Sequence, residues 1–108
     1  MDTTKLSDTK LAALSAAHPT LPSEYFAYLR DVGWGEAVSG RMIYSGPVAP
    51  QDVYGATFSR TDIVLLGDDL QGYCFGYDRT ASAYGETTPS GDWQAWPADK
   101  GLRHHVGA

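Results

Sequence analysis

The chain is expected to fold as an α+β domain, with N-terminal helices packed on one face of a mostly antiparallel β-sheet. Three observations lead there. Two stretches of helical spacing lie before residue 33, and strand-sized apolar or aromatic runs separated by Asp- and Gly-rich turns fill the remainder. The length of 108 residues, with a hydrophobic fraction of 43%, supports one core and leaves no room for a second domain.

The first helix is expected over Ser7–Ala17, where Leu11 and Leu14 lie among Ala12, Ala13, Ala16 and Ala17, and Ser7 or Asp8 can cap the start. Pro19 ends it by disfavouring helical geometry at His18. A second helix spans Leu21 to Val32. Pro22 suits its first turn, Glu24 suits the positive end of the dipole, and Tyr25, Leu29 and Val32 follow helical spacing. Gly33 and Gly35, flanking Trp34, close it.

Beyond residue 40 the period changes. Met42-Ile43-Tyr44 reads as a short strand stopped by Ser45-Gly46-Pro47, and Pro50 to Tyr54 as one helical turn. Asp62–Leu66 is a buried-type strand, followed by an acidic turn over 67–72. Tyr73–Tyr77 is the next strand, with Tyr73, Phe75 and Tyr77 on one face and Cys74 and Gly76 on the other. A turn at 78–80 leads to a strand over Ser82–Gly85, then a polar loop from Thr87 to Asp92. Trp93 to Trp96 forms an edge strand closed by Pro97, and residues 98–108 form a flexible tail without periodicity. Strand order does not follow from this pattern.

Thirteen acidic against eight basic residues give a net charge of −5, and the basic residues are scattered singly. That balance argues against nucleic acid, whose phosphates need clustered Lys and Arg, and suits a basic partner. The longest apolar run, Ile63–Leu66, is far short of a membrane span, and Met1–Lys10 lacks the apolar region of a signal peptide. Cys74 is the only cysteine. With no internal disulfide available, a soluble cytoplasmic protein is expected.

No catalytic signature stands out: there is no phosphate loop, nucleophile elbow or zinc-spaced Cys or His pair. Asp68, Asp69 and Asp78 form the best carboxylate group. They suit acid–base chemistry, a cation or a basic partner, yet Asp is also a common turn residue bonding its own backbone. The acidic turn lacks the alternating ligands of a calcium loop, so no metal is expected. His18 reads as a helix end, His104 and His105 as part of a fraying tail, and Cys74 as a buried inert thiol. Tyr73, Phe75 and Tyr77 read as core, whereas Trp93 and Trp96, near an edge, are candidates for exposed anchors.

The order of motifs resembles the SUKH superfamily. Leu21-Pro22-Ser23-Glu24-Tyr25-Phe26-Ala27-Tyr28-Leu29 and Gly33-Trp34-Gly35 are similar to that family's helix and glycine signature. Ile43-Tyr44, Ile63–Asp69 and Gly72–Asp78 are similar to its strand, acidic turn and following strand, so the likeness covers about residues 20–80. The resemblance implies helices on one side of a mostly antiparallel sheet. It also implies a protein-binding role without shared catalytic residues: most members are bacterial immunity proteins that neutralise a cognate toxin domain, often a nuclease, and a fungal branch regulates cell-wall synthesis. The family's amphipathic helix after the last strand is not recognisable in the loop-rich segment 87–108.

The expectation is therefore a non-enzymatic immunity-type protein, without cofactor, that occludes a basic toxin through Asp68, Asp69, Asp78, Tyr84, Glu86, Asp92, Trp93 and Trp96. A regulatory adaptor without inhibitory activity is one alternative. A metal- or small-ligand-dependent enzyme using Asp68, Asp69, Asp78 and His18 is another, and it requires those groups to converge in one pocket.

Overall fold

The side chain of Ser7 accepts a hydrogen bond from the Lys10 amide at 3.3 Å, and this cap opens α1 (Asp8–Ala17). The helix is rich in alanine and contributes no fully buried residue; Leu11 and Leu14 pack against the core from its half-buried side. α2 (Ser23–Asp31) buries more, with Tyr25 and Leu29 completely enclosed. Both helices lie where the sequence places them. The computed structural model describes residues 3–37, 39–56, 58, 62–97 and 99–107.

α2 ends in a tight exit. Gly33 has φ +105°, and a Cβ there would collide with the backbone of Thr4. That close approach lets β1 (Thr3–Thr4) pair with β2 (Trp34–Glu36), an element that the glycine-flanked tryptophan concealed from sequence reading. β3 (Met42–Val48) runs straight through the expected breaker at Ser45-Gly46-Pro47, helped by a register shift between Ile43 and Val48. α3 (Gln51–Tyr54) is the single helical turn expected from Pro50.

β4 (Ile63–Asp68), β5 (Cys74–Asp78), β6 (Ala83–Thr87) and β7 (Trp93–Ala95) complete the sheet. Among the described residues, all seven strands lie in chain order and every neighbouring pair is antiparallel. β7 is an edge strand, as expected of the segment before Pro97.

The run Ile63–Leu66 is apolar at every position because β4 is covered on both faces. Val64 and Leu66 join a cluster with Leu21, Tyr25, Leu29, Ile43, Phe75 and Tyr77. Ile63 and Leu65 join a second cluster with Phe58 and Cys74, against which Tyr44, Val48, Tyr54 and Trp93 pack. Phe75 and Tyr77 are thus core residues, while Tyr73 precedes β5 and stays 39% exposed.

The expected tail needs correction. Within 98–108, of which Ala98 and Ala108 lie outside the described residues, α4 (Leu102–Val106) buries Leu102, His105 and Val106. The His105 ring stacks on Phe75 at a centroid distance of 4.4 Å, and its Nε2 lies 3.2 Å from the Met42 carbonyl oxygen. Ser39 Oγ donates to the His105 carbonyl at 3.0 Å, satisfying one of the open acceptors at the helix end. His105 is therefore a packing residue and not part of a fraying end. Its segment read as structureless because five residues are too few to show helical periodicity. Among the described residues no helix is long and apolar enough to cross a membrane.

Candidate functional site

The β4–β5 turn over 69–73 and the β6–β7 loop over 88–92 lie at one end of the sheet, and α3, from the β3–β4 connection, reaches them through Tyr54. Tyr54 ties them together. Its hydroxyl lies 2.7 Å from Thr87 Oγ1, 3.3 Å from the Gly72 carbonyl oxygen and 3.4 Å from Cys74 Sγ. A Cβ on Gly72 would sit 3.0 Å from Pro89, so the turn and the loop lie in contact. Between them opens a cleft of about 430 Å³ lined by Tyr44, Val53, Tyr54, Asp68, Leu70, Gly72, Cys74 and Pro89.

Asp68 carries the charge of this cleft. Tyr44 donates its hydroxyl hydrogen to Asp68 Oδ2 at 2.7 Å, and the Leu70 amide donates to Oδ1 at 3.1 Å. The carboxylate is held in one orientation with one donor per oxygen, and each oxygen keeps further acceptor capacity. Burial, and next the bond to Asp68, holds the Tyr44 phenol well above its ordinary range. Burial, and next the hydrogen bond to Cys74, pushes Tyr54 up to about 12. Both phenols are therefore neutral donors at physiological pH. Cys74 is buried, as expected, but its thiol has hydroxyl neighbours in Tyr54 and, at 4.0 Å, Tyr44.

Asp69 shapes the turn beside the cleft. Its Oδ1 accepts the amides of Gln71 at 2.8 Å and Tyr73 at 3.1 Å. The turn then presents Leu70, which is 66% exposed and has φ +65°, a left-handed conformation disfavoured for a bulky side chain. Val53, on the other wall, is 49% exposed.

The remaining expected site residues separate. Asp92 is exposed in the β6–β7 loop at the same end of the sheet, its amide facing Thr88 Oγ1 at 3.3 Å. Asp78 is opposite Ile63 whereas Cys74 is opposite Asp68, so Asp78 lies roughly 13 Å away along the strand. It is buried, and its Oδ1 accepts the amides of Thr80 and Ala81, both at 3.0 Å. It shapes a turn at the far end and does not join Asp68 and Asp69. His18 caps the end of α1, and among the described residues the cleft that holds Asp68 is lined by neither Asp69, Asp78 nor His18.

The aromatic candidates are packing residues. Tyr84 stacks on Phe75 at 5.4 Å and donates to Glu24 Oε1 at 2.7 Å; burial and that bond hold its phenol well above the ordinary range. Trp96 stacks on Phe75 at 5.3 Å and meets His104 edge-on at 5.2 Å. Trp93 lies over Gly76 and Gly85, where added Cβ atoms would come within 3.3 and 2.6 Å of its ring. Neither tryptophan stands free as an anchor. Glu86 is half-buried on β6, opposite Phe75 and Gln94.

Sequence reading missed Tyr44, Val53, Tyr54, Leu70 and Thr87 as site residues. Leu70 left a usable signal: an apolar residue set between Asp69 and Gln71 in an otherwise polar turn. Among the described residues, no group of three His, Cys, Asp or Glu side chains is placed to hold a metal ion. No family model matches the chain, and neither the curated proteins nor the solved structures contain a match.

Proposed function

We propose that the chain is a partner-binding protein of the immunity type, which neutralises a basic toxin domain by covering its active site with the end of the sheet that carries Asp68 and Asp69. One observation carries this reading. Among the described residues, five large hydrophobic side chains are exposed, and Val53, Leu70 and Tyr73 of these sit on or beside one cleft, around two carboxylates. Exposed apolar anchors beside charge of one sign are what tight, electrostatically steered interfaces use. The left-handed backbone at Leu70 supports the same reading, since a turn needing only a left-handed residue is better served by Gly or Asn.

The net charge of −5 and the likeness of residues 20–80 to the SUKH pattern favour a basic toxin as partner. We further propose that α1, α2 and α4 share one sheet face as in that superfamily. The inclusion of Leu21, Tyr25, Leu29, Leu102 and Val106 in one buried cluster, with Leu11 and Leu14 packed against it, supports this. The proposed interface is accordingly smaller than the sequence suggested: Asp68, Asp69 and Asp92 remain in it, while Asp78, Tyr84, Glu86, Trp93 and Trp96 leave it.

The test is co-expression with the product of the adjacent upstream gene, scoring survival and co-purification. Rescue with a stable complex is expected. The variant D68N/D69N keeps an acceptor oxygen at each turn-shaping position while removing both charges; it should slow association and weaken its salt dependence. Failure of rescue and complex formation contradicts immunity, and unchanged association of the double variant contradicts this placement of the surface.

A further inference from the structure

We propose that the cleft between α3 and the β4–β5 turn is a pocket for one basic side chain of the partner, an arginine above all. The inference rests on the partner-binding reading and assigns the chemistry of its centre. Asp68 is the only charged residue among the described residues lining the cleft, and no Lys, Arg or His accompanies it there. A wholly apolar ligand would strip water from that carboxylate without replacing its hydrogen bonds, and an anion would be repelled. A guanidinium resolves both problems, because its parallel N–H donors match the acceptor sites that Asp68 keeps free after bonding Tyr44 and the Leu70 amide.

The rest of the lining fits the remainder of such a side chain. Val53, Leu70 and Pro89 offer apolar surface to its methylene stem. Tyr44 and Tyr54 add aromatic surface, which attracts a guanidinium more than a neutral head group. The pocket is also held open by its own bonds. Tyr44 is tied to Asp68, and Tyr54 to Gly72 and Thr87, so neither ring has to be immobilised when a ligand enters.

The probe is Nα-acetyl-arginine amide, titrated into the ¹⁵N-labelled full chain and followed by amide chemical shifts, with Nα-acetyl-citrulline amide as the uncharged isostere. The expected result is saturable shifts centred on Val53, Tyr54, Leu70 and Gly72 at millimolar probe, as befits a single side chain. Citrulline, or arginine with the D68N variant, should bind roughly tenfold more weakly. D68N retains an acceptor for the Leu70 amide, and its spectrum reports directly whether it is folded. Shifts that do not saturate, equal binding of citrulline, or full binding by D68N would each overturn the pocket. If arginine fails while co-expression still gives rescue and a complex, the pocket is wrong and the partner-binding reading stands. If arginine binds at these residues without any rescue, the pocket stands and the immunity reading falls.

Discussion

Leu70 costs the fold stability through its backbone and its exposure, whereas His105 does so only when it is protonated. Leu70 combines a left-handed backbone with 66% exposure. Neither property favours the folded state, so replacing it should be harmless to the fold. The variant L70N, whose side chain tolerates that backbone, should leave stability unchanged or raise it by up to about 1 kcal/mol in urea titrations. The same variant should weaken partner binding. A clear loss of stability would show that Leu70 has a structural role instead. His105 is buried on Phe75, and its pKa is lowered to about 4, first by burial, against the raising effect of its bond to the Met42 carbonyl. Arg41, Asp68 and Asp69 are the charges it feels. Because the folded pKa lies below the unfolded value of 6.5, its neutral form contributes fully above that pH. Stability should therefore fall by roughly 3 kcal/mol between pH 6.5 and 4 through this residue. Thermal melts across that range should show a shallower pH slope for H105Q, and an identical slope would contradict the assignment.

At the scale of elements, the close fit of β6 against β7 depends on the missing side chain at position 85. A Cβ on Gly85 would stand 2.6 Å from the Trp93 ring and 2.5 Å from the Gln94 carbonyl oxygen. The variant G85A should cost about 1–3 kcal/mol and lower the melting temperature by about 10 °C, measurable by calorimetry. Legibility divides along similar lines. α1, α2, β4 and β5 were readable because each shows its own periodicity or a continuous apolar run. β2 and α4 were not, since three and five residues are too few to display a period. Their structure comes from tertiary contacts: Thr4 against Gly33, and Met42 and Phe75 against His105. The candidate site was half legible. Acidic turn chemistry located Asp68 and Asp69, but the tyrosines that complete the cleft come from β3 and α3, and only pairing of β3 with β4 brings Tyr44 to Asp68. The same pairing logic removed Asp78, which pattern alone had grouped with them and strand geometry sends to the other end.

At the scale of the whole molecule, the seven strands among the described residues form a meander, and one end of it carries the cleft. The net charge of −5 predisposes the chain to meet a basic partner, and that attraction is non-specific. In the proposed reading, specificity comes from the end where α3, the β4–β5 turn and the β6–β7 loop surround a single carboxylate with exposed apolar side chains. The most direct test of this claim is amide hydrogen exchange of the chain alone and in complex with the toxin recovered by co-expression. Slowed exchange confined to residues 52–54, 68–73 and 88–92 is the expected footprint. A footprint over α1 and α2, with those three segments unchanged, would contradict it.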